Sequence, residues 1–468
     1  MRFKTSAVSR LSRRQLLGGL AATGAAVTLA SATVASGAVS SGDGQGSGQA
    51  GRKGKVRADG GLRVELPAPT GPYPVGMTEL HLVDQGREER WGSGARELMV
   101  SVWYPARKGA GTDAGGGTDA PRAPYMRPGA AAVFGAGAER ILKVEHGAVD
   151  WGGFTTHARE GAAVARGLGR RPVVLYSPGM YNERTLDTSA VVELAAQGYV
   201  VVTVDPTYEA HAVEFPGGRV AEPSPEIGRM EPVAERNKAA LEVRVADVRF
   251  VLDRLEVLAR GGNPDAGGRR LPSGLGAALD MARVGMFGHS LGGMTTAEAM
   301  RLDRRIRAGV NLDGPLGYDW TDPDLLLPVA HTGLDRPFLL MGAWLATTSG
   351  RLPHTHEHSP SWRALWQNST GWKRDLWVRA AEHNSFTDYE IVLPALAEHL
   401  TLPEGLRKQM IGTVDPARFT ASRRAYLTAF FDRHLRGLHR PLLDGPTPRH
   451  PDVRFIGQHE APEGPEGS

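Results

Sequence analysis

Seven short runs of Val, Leu, Met and aromatic residues, several of them apolar from end to end, recur along the chain between segments of helical pattern. They are ELMVSVWY (97–104), PVVLYS (172–177), YVVVTVD (199–205), VGMFG (284–288), AGVNLD (308–313), PFLLMG (337–342) and DLWVRA (375–380). A strand that is apolar throughout must be buried on both faces, and strands alternating with helices build a sheet from crossover units. The expected fold class is therefore α/β: a mostly parallel, doubly wound sheet flanked by helices, with an antiparallel hairpin near residues 75–104. Leu241, Val245, Val248, Leu252 and Leu255 repeat at helical spacing, with Arg244, Asp247, Arg249 and Asp253 off that stripe. This helix leads towards the fourth run, and RRAYLTAFFDRHLRG (423–437) reads as a last amphipathic helix.

The ends of the chain follow a different grammar. SRRQLLGG (12–19) is a twin-arginine pair entering an uncharged apolar stretch that ends in small residues near 38, which reads as a twin-arginine export signal over 1–38. Residues 39–60 are rich in Gly, Ser and Lys and read as a flexible linker, leaving 61–468 as a single catalytic domain. Insertions into that domain are expected at about 106–165 and 343–375, and ARKGAGTDAGGGTDAPRA (106–123) reads as a surface loop. Residues 1–38 hold five of the 55 Lys and Arg and none of the 51 Asp and Glu, so the remainder carries 50 against 51, or −1, where the whole carries +4. The basic balance thus belongs to the signal, and no nucleic-acid partner is expected. The chain has no cysteine, which rules out Cys nucleophiles, Cys metal sites and disulfides, and suits export in the folded state.

Chemistry concentrates where VGMF turns into GGMTTAEAM through Gly288-His289-Ser290-Leu291-Gly292. A G-x-S-x-G sequence between a strand and a helix forces a sparsely populated backbone conformation on its serine and exposes the hydroxyl. A Cβ at 288 or 292 is expected to clash where the helix and strand approach. Ser290 as nucleophile requires an acid and a histidine at the ends of later strands, in that order. Asp313 closes AGVNLD, whereas the next run, PFLLMGAWLATTSGR, offers no carboxylate before the distant Glu357. His383, one of fifteen histidines, follows the last strand in AEHNSFTDY and is the expected base. The oxyanion donors are the N–H of Leu291, after the nucleophile, and the N–H of Met180, in the turn SPGM after an earlier strand. Pro178 has no N–H to give. His289 reads as a local packing or hydrogen-bonding group. HTHEHSP (354–360) reads as a solvent-facing loop, with no metal and no organic cofactor expected.

The stretches LPAPTGPYPVGMTELHLVD, RELMVSVWYPA, SPGM, ADVRFVLDRL, GHSLGG, NLDG and HNSFTDY, in that order, resemble the plasma-type platelet-activating-factor acetylhydrolases and their secreted bacterial relatives. The likeness spans most of 67–437, and its Pro-rich entry is not a general α/β-hydrolase feature. The resemblance implies an α/β-hydrolase fold, Ser290, Asp313 and His383 as the triad, and Leu291 and Met180 as oxyanion donors. It also implies catalysis without metal or cofactor on short or oxidatively truncated sn-2 acyl groups of phospholipids. Vertebrate members commonly carry an aromatic where this chain has Leu291 and a histidine where it has Pro178, so the acyl side of the pocket differs.

The function expected from the sequence is a secreted serine esterase acting on a small-molecule ester or lipid, with transient contact to a lipid surface. A lipase or polyester hydrolase is the alternative. Cutinase-type enzymes share G-H-S-x-G-G, but they are shorter, usually carry a disulfide and place the acid one strand later. A non-catalytic binding protein has no need to keep Ser, Asp and His in this order. Substrate choice falls to the insertions, especially 123–154 and the Trp-rich 362–377, whose apolar groups either roof a pocket or pack into the core.

Overall fold

The computed structural model describes residues 60–108, 120–347 and 350–457. The expected export signal, all of the linker but Gly60, and most of the loop at 106–123 lie outside the described residues.

Eleven strands form one sheet: β1 (Val75–Glu88), β2 (Ala95–Pro105), β3 (Arg122–Pro124), β4 (Thr155–Glu160), β5 (Arg171–Ser177), β6 (Val200–Val204), β7 (Leu279–His289), β8 (Ile306–Leu312), β9 (Phe338–Gly342), β10 (Lys373–Trp377) and β11 (Arg454–Phe455). Their order is β11-β10-β9-β8-β7-β5-β6-β2-β1-β4-β3. From β6 to β10 every neighbouring pair is parallel. The expected hairpin is β1–β2, joined antiparallel to β6 through β2.

Side chains alternate across the parallel strands, and both faces are apolar. Val173, Leu175, Val284 and Met286 face one core, with Leu241, Val248 and Leu252 of α3 (Val233–Ala259) and Met294 and Ala297 of α4 (Leu291–Leu302). Val174, Tyr176, Phe287, Val310 and Leu312 face the other. That side is covered by α2 (Thr188–Ala196) and by a helix at Pro416–Arg436 that contributes Phe419, Leu427, Phe430 and Phe431. Burial on both faces is why these strands lack polar alternation.

Two segments expected as insertions carry structure of their own. Among the described residues, 106–165 holds β3, β4 and α1 (Pro128–Leu142), and Phe134 of α1 meets Trp151 edge to face at 5.0 Å in a third core. The segment 343–375 holds a hairpin of Trp344–Thr347 with Gly350–Pro353 and a helix at Pro360–Asn368. Phe134, Leu142, Val149, Trp151 and Phe154 of 123–154 are thus core residues, as are Trp362 and Trp377, whereas Val133, Ile141, Val144, Trp366 and Trp372 are half-buried. Among the described residues, no helix is long and apolar enough to cross a membrane.

Candidate active site

β7 ends at His289 and α4 begins at Leu291, so the whole reversal falls on Ser290, whose φ is 55° and ψ −121°. Few L-residues adopt that conformation, and it persists only where surrounding contacts over-determine it. Here the Ser290 N–H donates to the Leu312 carbonyl at 2.9 Å, and the Ser290 carbonyl accepts from Gly293 N–H at 2.8 Å. The two glycines have the steric reason anticipated for them. A Cβ on Gly292 would lie 1.9 Å from the Ser177 carbonyl oxygen, and one on Gly288 would lie 2.2 Å from the Gly292 oxygen.

Asp313 follows directly on β8, turns out of the strand with φ 56° and donates its N–H to the Met341 carbonyl at 2.8 Å. Its buried carboxylate accepts three hydrogen bonds: Oδ1 from Ala343 N–H at 2.9 Å and His354 Nδ1 at 2.8 Å, and Oδ2 from His383 Nδ1 at 2.6 Å. Burial alone would raise its pKa, but the bonds and positive potential from His354 and His383 hold it far below the carboxylate range. An ionised carboxylate only accepts, so a hydrogen of each histidine sits on Nδ1, and in the neutral form of the ring Nε2 is the nitrogen left bare. For His383 that leaves Nε2 able to take a proton, on a ring that is 31% exposed. His383 starts a short turn, His383–Phe386, capped reciprocally by Glu382 and Ser385.

His289 packs against His383 with ring centroids 4.5 Å apart, and its Nε2–H donates to the His383 carbonyl at 2.9 Å. Burial, followed by the positive potential of His383, keeps His289 well below the usual imidazole range, so it stays neutral and serves to seat the His383 backbone. Ser290, Asp313 and His383 thus gather at the carboxyl ends of β7, β8 and β10. The Met180 turn reaches the same place: a Cβ on Gly179 would stand 3.3 Å from Ser290 Cβ. Leu291 is the first residue of α4, where helix N–H groups have no intrahelical partner.

Three residues, His354, His356 and Arg244, escaped the sequence reading. The 354–360 loop faces solvent only in part: Glu357, His358 and Pro360 are exposed, but His354 is fully buried, stacked on Trp362 at 3.9 Å, and the half-buried His356 stacks on Trp366 at 3.9 Å while its Nδ1 meets Asp375 Oδ2 at 2.7 Å. Arg244, off the apolar stripe of α3, is buried against Glu209. Among the described residues no group of three or more His, Cys, Asp or Glu side chains could hold a metal ion.

The same turn continues to Glu183, a fully buried acid whose Oε1 accepts from Ala212 N–H at 3.2 Å while Oε2 has no partner. Burial pushes its pKa up to about 8 from the usual 4.5. Between those values the folded chain holds a proton that the unfolded chain has released, so this group stabilises the fold at low pH and loses that contribution as pH rises through about 8. Glu183→Gln is expected to raise Tm more at about pH 8 than at about pH 5, read by differential scanning fluorimetry. An equal change at both pH values would contradict the assignment.

The chain matches the family model "Platelet-activating factor acetylhydrolase, isoform II" over residues 60–402. It is 28% identical over 417 residues to a protein of Arthroderma benhamiae named "Probable 1-alkyl-2-acetylglycerophosphocholine esterase", covering 84% of this chain and 93% of that one. With "Platelet-activating factor acetylhydrolase" of Gallus gallus it shares 23% over 369 residues, 72% of this chain and 77% of the relative. Among solved structures, a ferulic acid esterase from Streptomyces cinnamoneus is 37% identical, covers 84% of this chain and 99% of its own, and superposes with a TM-score of 0.63. An α/β-hydrolase fold and a family match over most of its length make this chain a member of the platelet-activating factor acetylhydrolase, isoform II, family of esterases.

Proposed function

We propose that this protein hydrolyses carboxylic esters through an acyl-enzyme on Ser290. His383 Nε2 takes the Ser290 proton as Oγ attacks the ester carbonyl, then gives it to the leaving alcohol oxygen; water repeats the sequence to release the acid. Asp313 holds the reactive tautomer of His383, and the N–H groups of Leu291 and Met180 receive the negative charge of the tetrahedral intermediate. The observation that carries this reading is the turn conformation of Ser290 beside the Asp313–His383 pair.

The substrate we favour is an ester with a short acyl group, foremost a phospholipid with a short or truncated sn-2 chain. The match to a probable 1-alkyl-2-acetylglycerophosphocholine esterase over 93% of that protein supports it. A second reading, an ester of a hydroxycinnamic acid, is favoured by the higher identity to the ferulic acid esterase. The twin-arginine stretch at 12–19 supports an enzyme that acts outside the cell.

A p-nitrophenyl ester series from acetate to palmitate, a phospholipid with an sn-2 acetyl group and methyl ferulate separate these readings, assayed in culture supernatant and cell extract. Turnover is expected in the supernatant, highest on the short esters and on the phospholipid. Faster cleavage of methyl ferulate than of the phospholipid would favour the hydroxycinnamate reading, and a preference for palmitate with the phospholipid untouched would favour a lipase. Activity confined to the cell extract would end the proposal of export.

A further inference from the structure

Arg244 is a buried cation with more donors than its ion pair needs. It lies on α3, 3% exposed, with Nε 2.9 Å from Glu209 Oε2 and a terminal nitrogen on Glu209 Oε1. A buried ion pair seldom stabilises a fold more than apolar side chains of the same volume would, so its presence calls for another account. The remaining donors supply one. One terminal nitrogen reaches Ser177 Oγ at 3.2 Å and the Pro178 carbonyl, and the other reaches the Gly179 carbonyl at 2.9 Å. A single planar group therefore grips three successive residues of the turn that runs against Ser290.

The Gly179 carbonyl and the Met180 N–H are the two ends of one peptide group. That group is planar, and in the trans form its C=O and N–H point in opposite directions. The Gly179 oxygen also accepts from Asn182 N–H at 3.1 Å within the turn, and Arg244, gripping it from the helix side together with its two neighbours, completes the fixing of where the Met180 hydrogen points, on the side away from Arg244. A cationic donor on the carbonyl also draws electron density through the amide and strengthens its N–H as a donor. Arginine suits the task because its fork is rigid and charged at any working pH, whereas a lysine ammonium cannot span both carbonyls in one plane. We infer that Arg244, held by Glu209, is a positioning residue that aims and polarises the Met180 N–H as an oxyanion donor. This rests on the proposed role of Ser290 and of the Met180 N–H.

The test compares wild type, Arg244→Ala, Arg244→Lys and Ser290→Ala on p-nitrophenyl acetate, with active sites counted by fluorophosphonate titration wherever Ser290 is present. Removing one oxyanion donor from a serine hydrolase lowers kcat by about 10²- to 10³-fold, so Arg244→Ala is expected to lose about 10²-fold in kcat with KM within about threefold. Arg244→Lys should fall between, at about tenfold. Guanidinium ion at low concentration should restore kcat in Arg244→Ala and do nothing for Ser290→Ala. A merely structural role would lower Tm and soluble yield without this rescue and without a loss confined to kcat. If Arg244→Ala does not fold, Arg244→Lys decides: a loss in kcat per active site at unchanged KM supports the inference. Wild-type kcat per active site in either arginine variant overturns it, as does a loss in Arg244→Ala that guanidinium leaves unchanged. Full activity in Ser290→Ala would instead bring down the proposed mechanism itself.

Discussion

Ser290→Ala is expected to lower kcat on p-nitrophenyl acetate by about 10⁴- to 10⁶-fold, with the folded state intact. The substitution removes only Oγ. Alanine keeps the Cβ and so keeps the backbone strain at φ 55°, and the bonds that hold the turn, from Ser290 N–H to Leu312 and from Gly293 N–H to the Ser290 carbonyl, belong to the main chain. No side-chain hydrogen bond from Ser290 caps α4, so the helix start loses nothing. Tm should therefore stay close to that of wild type while turnover collapses, and labelling by a fluorophosphonate should disappear with it. What remains is the rate that the oxyanion donors and binding supply without a nucleophile. A variant retaining a tenth or more of wild-type kcat would remove Ser290 from the mechanism.

The elements that carry this site differ in how plainly the sequence announces them. β5, β6, β8, β9 and the second half of β7 are legible because burial on both faces writes a largely apolar run, β10 only by the short apolar stretch that ends it, and Ser290, Asp313 and His383 are legible because each follows such a stretch. β3 and β11 are not: three residues, Arg122–Pro124, and two, Arg454–Phe455, carry no periodicity, and only the antiparallel partner draws them into the sheet. Arg244 and Asp247 stand off the apolar stripe in the sequence, and helical periodicity registers their charge and not its partner. Each is buried by a residue distant in sequence, Glu209 for Arg244 and Arg96 for Asp247. His354 is hidden for the same reason. A histidine-rich stretch without regular structure has the composition of a surface loop, and only the fold brings Trp362 beneath it and Asp313 beside it.

Asp313→Asn should lower kcat by about 10⁴-fold while leaving KM and Tm little changed, and the reason lies in the unequal load on the two carboxylate oxygens. Oδ1 accepts two hydrogens, from Ala343 N–H and from His354 Nδ1; Oδ2 accepts one, from His383 Nδ1. An asparagine can offer one oxygen and one NH₂ group. Turning the oxygen towards His383 would set the NH₂ against both the Ala343 N–H and the His354 N–H, in a place where neither can find water. The oxygen therefore replaces Oδ1, and the NH₂ faces His383. His383 Nδ1 must then accept, its hydrogen moves to Nε2, and the nitrogen that should take the Ser290 proton is occupied. The fold is spared because every main-chain bond of the turn survives, including that from the residue 313 N–H to the Met341 carbonyl. His354 sets the orientation, so in a His354→Phe background Ala343 alone opposes the flip and Asp313→Asn should cost less relative to that background. Steady-state kinetics on p-nitrophenyl acetate read both values. A loss below about tenfold for Asp313→Asn in the wild-type background would exclude Asp313 as the group that sets the His383 tautomer.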